Sequence, residues 1–133
     1  MFLEKRAASV DQDLLGLPRP HTKRVQLDIS LSWTECSAIM VPCGEVNISS
    51  VPLLHMQLGA IAAHVKDELV IDLSLVRFLD SSGLSFLIAA RGELRSRGSR
   101  LAIISPSPQF RRLCVLSGLT SYLGIMPEQP YEK

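Results

Sequence analysis

The chain predicts an α/β fold: one domain with a mixed, mostly parallel sheet of about five strands and helices packed against it. Three observations carry this expectation. Short apolar segments at residues 69–73 and 101–104 are separated by an amphipathic stretch of helical period. Strands that alternate with helices pair in parallel through right-handed crossovers. The segments at 25–31 and 37–41 are joined by only a short turn, so they pair as an antiparallel hairpin and the first strand runs against the rest.

Taken in order, Val25-Gln26-Leu27-Asp28-Ile29-Ser30-Leu31 alternates apolar and polar residues, which predicts a strand with one wet face. Ser50-Val51-Pro52 opens a helix with Ser49 or Ser50 as its cap and a proline in the first turn. Its stripe is Val51, Leu54, Leu58, Ile61 and Val65. Leu69-Val70-Ile71-Asp72-Leu73 is a short, nearly continuous apolar strand. A helix starting at Ser82 buries Leu84, Leu87, Ile88 and Leu94, with Gly98 placed to end it. Residues 101–104 form another buried strand. Ser107-Pro108 caps and opens a helix that buries Phe110, Leu113 and Leu116 and stops at Gly118. Residues 122–126 make a last short strand. No internal repeat is present.

Outside this core, residues 1–24 read as a partly flexible N-terminal extension. Leu17-Pro18-Arg19-Pro20-His21 has prolines and charge without periodicity. Residues 127–133, with two prolines, read as a flexible tail.

Composition narrows the function. With 133 residues, 47% hydrophobic and 20% charged, the chain can bury a real core. A net charge of +1 and no dense basic block argue against nucleic-acid binding. No apolar run reaches the length of about 18 residues needed to cross a bilayer, and the charged start lacks the apolar segment of a secretory signal. Three cysteines with no CxxC fit a reducing compartment. The expected location is cytoplasmic, without direct membrane insertion.

The most informative segment is Asp80-Ser81-Ser82-Gly83-Leu84, at a strand-to-helix junction. Helix capping explains the acid and the serines, and local sequence alone favours it over reversible phosphorylation. The two roles are compatible, because a helix N-terminus presents free N–H groups and a positive dipole end. Gly83 leaves room for a partner's active site to approach. No G-x-S-x-G elbow or nearby histidine surrounds the serines, so Ser81 as a catalytic nucleophile is the weakest reading. His55 and His64, nine positions apart on one helix, face opposite sides and cannot share a metal ion; His21 lies in the extension. Cys114 reads as a buried small hydrophobe, while Cys43, at a turn, and Cys36 leave a reversible disulfide as an alternative. Arg91, Arg95, Arg97 and Arg100 read as a solvated face near a helix C-terminus. Neither nucleotide-binding glycine motif is present. No metal or cofactor is expected, so any ATP must arrive on another protein.

Together these segments resemble the STAS domain of bacterial anti-sigma factor antagonists. The match covers roughly residues 25–126. Its strongest stretch runs from Val70-Ile71-Asp72-Leu73-Ser74 through Val76-Arg77-Phe78-Leu79-Asp80-Ser81-Ser82-Gly83-Leu84. Cys43-Gly44-Glu45-Val46-Asn47 is similar to the family's G-E-[LV]-D turn, and Ser50-Val51-Pro52 to its T-A-P helix start. The resemblance implies a non-enzymatic, cytoplasmic switch in transcription regulation, of the kind used in stress responses. The unphosphorylated form binds an anti-sigma factor with a histidine-kinase-like ATPase fold and releases a sigma factor. That kinase phosphorylates the serine after the aspartate, here Ser81, and a PP2C-type phosphatase reverses it. The implied contact surface is Gly44, Glu45, Asn47, Ser50, Asp80, Ser81, Ser82, Gly83 and Leu84. Asn47 departs from the family's usual aspartate and removes a charge from a loop expected beside Ser81. The alternative is a STAS scaffold with no phosphate cycle, a subunit of a signalling or membrane lipid-transport complex.

Overall fold

The computed structural model describes residues 3–8 and 27–126. In chain order the elements are β1 (Leu3–Ala8), β2 (Leu27–Trp33), β3 (Ser37–Val46), α1 (Val51–Ala62), β4 (Glu68–Asp72), β5 (Val76–Leu79), α2 (Ser81–Ser96), β6 (Arg100–Ile104), α3 (Pro108–Ser117) and α4 (Thr120–Leu123). Among the described residues the sheet runs β1-β2-β3-β4-β6, with β5 paired to β3 off this path. β1 and β2 are antiparallel, as are β2 and β3; the remaining pairs are parallel. The α/β class, the antiparallel hairpin and the parallel crossovers follow the expectation from sequence.

Alternation decides which face is core. Leu27, Ile29 and Leu31 of β2, Ala38, Met40 and Val46 of β3, and Leu69 and Ile71 of β4 are all buried in one cluster. The helices cover that face. α1 buries Leu54, Leu58 and Ile61, the stripe read from sequence, with Val65 buried just past its end. The central strand β3 changes partner along its length: it pairs with β4 as far as Met40 and with β5 from Gly44 onward. Pro42 stands in the gap between these partners, where a residue with no N–H costs no ladder bond on that side.

Several expectations are corrected. Residues 3–8, within the stretch read as an extension, form an edge strand; residues 9–26, including His21 and the proline segment, and the tail 127–133 lie outside the described residues. Residues 76–79, where the sequence pattern predicts no element, form a strand. The expected last strand at 122–126 is instead the end of α4, a turn at Gly124 (φ 70°) and one bridge from Ile125 to Ile103. α2 buries Gly83, Phe86, Leu87, Ala90 and Leu94, while Leu84 and Ile88 only flank the core. That stripe keeps the i, i+3, i+4, i+7 spacing but begins at the glycine. α3 buries Phe110 and Cys114; Leu113 and Leu116 are 46% and 78% exposed rather than core. Arg91 is half-buried and stacks 4.9 Å above the Tyr122 ring, so it leaves the solvated arginine face. Arg95, Arg97 and Arg100 remain exposed, with Arg97 bonded to Glu93 at 2.9 Å.

Candidate functional site

The site is built where β3 and β5 end side by side. The Asp80 N–H donates to the Val46 carbonyl at 3.2 Å, which fixes the start of α2 against the end of β3. Asp80 is the N-cap of α2: its Oδ1 accepts from the Ser82 N–H at 2.8 Å and the Gly83 N–H at 3.2 Å. Two of the helix's free donors are thereby satisfied. Ser81 is the first residue of the helix and is exposed, whereas Ser82 is half-buried. The cap therefore leaves the Ser81 side chain at the surface.

Gly83 is buried and faces inward. A Cβ there would stand 2.6 Å from Leu79 Cγ and 2.9 Å from Val46 Cγ1. The glycine lets α2 settle onto the ends of β3 and β5, which corrects the expectation that it clears a path for a partner. Leu84 likewise packs against the core edge.

The neighbouring loop follows β3. Gly44 sits at a register shift in the β3–β5 pairing with φ 129°, a conformation that favours glycine, and its N–H donates to the Leu75 carbonyl at 3.0 Å. Asn47 Oδ1 accepts from the Ser49 N–H at 2.9 Å and the Ser50 N–H at 3.2 Å. Ser50 occupies the N-cap position of α1, but its buried hydroxyl turns back to donate to the Glu45 carbonyl at 2.8 Å. The expected serine side-chain cap is therefore absent: the Asn47 amide closes the turn before the helix, and the Asn47 main-chain carbonyl accepts from the first helical N–H, that of Val51, at 2.9 Å. Of the residues read from sequence, Ser81 is exposed; Glu45, Asn47, Asp80, Ser82 and Leu84 are half-buried; Gly44, Ser50 and Gly83 are buried supports.

No group of metal-ligating side chains occurs among the described residues. Both His55 and His64 are exposed, and His55 meets Phe86 edge-on at 5.0 Å. The three cysteines are free; burial pushes the Cys114 thiol above its ordinary value, with Arg111 opposing. No described helix is long and apolar enough to cross a membrane.

The family model described as Mlab, STAS domain, matches residues 31–127. The chain belongs to the STAS domain family. The match spans both β3 and the α2 start, so the geometry above is that of a STAS domain's sheet end. A relative from Paenibacillus polymyxa, an anti-sigma F factor antagonist, is 28% identical over 83 residues, 62% of this chain and 71% of its own length. The crystal structure of an anti-sigma factor antagonist from Mycobacterium paratuberculosis is 28% identical, with TM-score 0.67, over 77% of this chain and 86% of its own. The Bacillus cell fate determinant SpoIIAA in its phosphorylated form shares the fold, with TM-score 0.62 at 21% identity, over 76% of this chain and 91% of its own.

Proposed function

We propose that this STAS protein is an anti-sigma factor antagonist whose binding of an anti-sigma factor is switched off by phosphorylation of Ser81. It acts as a regulator and not as an enzyme. The observation that supports this most is the exposed Ser81 at the start of a helix whose aspartate cap already holds two of the free N–H groups. A phosphate on Ser81 would not find those donors vacant. Its charge of about −1.5 to −2 would add to that of Asp80 and face outward, toward the partner. Repulsion and lost solvation of about 3 kcal/mol would weaken binding more than a hundredfold without any change of fold.

The kinase is expected to be the anti-sigma factor itself, with a histidine-kinase-like ATPase fold, and a PP2C-type phosphatase to restore the hydroxyl. Intact-mass and fragment-ion spectrometry on the protein from its own host tests this. One phosphoryl group on Ser81, varying between growth and stress, is the expected result.

A second reading drops the phosphate cycle and makes the chain a scaffold subunit of a signalling or membrane lipid-transport assembly, with the same fold. Asn47 favours it, because the acid usual in the family is absent beside the acceptor. Ser81 unmodified under every condition would select it.

A further inference from the structure

Beside the Ser81 junction, a groove of about 350 Å³ runs between β5 and α3. Its walls are mostly apolar: Leu73, Val76 and Phe78 on the β5 side, Phe110 and Leu113 on the α3 side. Phe78 is 53% exposed and Leu113 46%. Among the described residues Arg77 is the one charged side chain lining it, and exposed Arg112 precedes Leu113 on α3. β5 pairs with β3 along one edge and with no other strand among the described residues. Soluble proteins shield strand edges with charge, proline or a covering segment. Here the edge carries a half-exposed phenylalanine and borders the apolar groove. Leu79 lines the same groove and lies beneath Gly83, so the groove wall and the helix bearing Ser81 share a contact.

We infer that this groove takes an extended, acidic and apolar segment of the protein partner, added as a strand along the open edge of β5. Main-chain groups of β5 would supply the ladder, alternate apolar side chains would enter the slot over Phe110 and Leu113, and a carboxylate would meet Arg77. The inference extends the switch reading by giving the captured partner a second contact next to Ser81. Charge supports an acidic occupant, because the lining formed by the described residues holds a cation and no anion.

The test titrates the isotope-labelled full chain with a blocked hexapeptide alternating leucine and glutamate, followed by amide NMR, and repeats it with leucine and lysine. Saturable shifts at residues 77–79 and 109–113 are expected for the acidic peptide, with the basic one binding roughly tenfold more weakly. Arg77→Glu should reverse that order, a result that general damage to the fold would not produce. Overturning results are equal binding of both peptides or shifts elsewhere. Two others would assign a different occupant: concentration-dependent self-association abolished by Phe78→Glu, or groove amides that shift when residues 127–133 are removed. The peptide assay needs no anti-sigma factor. Its failure would reject the groove and leave the Ser81 switch standing, and loss of the Ser81 effect would leave the groove standing.

Discussion

Gly83 and Gly92 lie on the same helix, α2, yet they are expected to respond oppositely to alanine. At Gly92 nothing lies within 4 Å of an added Cβ. Gly92→Ala should therefore raise stability by about 0.5–1 kcal/mol through helix propensity. At Gly83 the same methyl meets Leu79 and Val46 closer than contact distance. Gly83→Ala should cost about 1–3 kcal/mol despite the propensity gain, and urea unfolding of the two variants side by side measures both signs. Asp80→Ala removes an acceptor of two backbone bonds and should cost about 1–2 kcal/mol in the same assay. The capping role of Asp80 was legible in the sequence, because acid and hydroxyl residues before a helix have a local physical purpose. The purpose of Gly83 was not. What a missing side chain makes room for depends on Leu79 and Val46, one on the preceding strand and the other on β3 far along the chain.

Each element start carries its own lesson. At the α1 start the sequence predicts the position but not the chemistry: Ser50 is the N-cap residue without a side-chain cap bond, and the Asn47 amide instead braces the preceding turn through the Ser49 and Ser50 N–H groups. Asn47→Ala removes two turn hydrogen bonds and should cost about 1 kcal/mol. Asn47→Asp keeps an acceptor, adds an anion at a helix N-terminus, and should be neutral or stabilising by about 0.3–1 kcal/mol. Any change it makes to phosphorylation of Ser81 then reports recognition and not folding. On α3 the apolar stripe Phe110, Leu113, Leu116 obeys helical spacing, but Cys114 takes the buried place. Periodicity gives the number of apolar faces but not the angle at which a short helix meets the sheet. The thiols follow the same geometry: a maleimide should label exposed Cys43 in the native state, while Cys114 reacts only on unfolding. Because burial raises the Cys114 pKa, its protonated form contributes stability below the ordinary thiol range, and that contribution fades as pH rises through the raised value.

At the scale of the whole molecule, the antiparallel hairpin and the parallel pairing of the later strands were readable, because alternating strands and helices leave few ways to connect. The exceptions are the short pieces. Among the described residues β5 has four residues and one partner strand, and Ile125 bridges Ile103 alone; neither offers enough sequence for a period of two to show. β5 is nevertheless what brings Asp80 beside Val46, and so places Ser81 at the same end of the sheet as Asn47. The fold thus gathers the exposed Ser81 hydroxyl, a satisfied cap and a supporting turn at one end of the sheet, which is what a charge-operated binding switch requires. Binding of the anti-sigma factor to Ser81→Ala and Ser81→Asp, titrated against the unmodified protein, tests that claim most directly. Ser81→Ala should bind like the unmodified protein and Ser81→Asp at least about tenfold more weakly, an aspartate carrying less charge than a phosphate. Equal affinity for the two variants would contradict a switch that works through charge at Ser81.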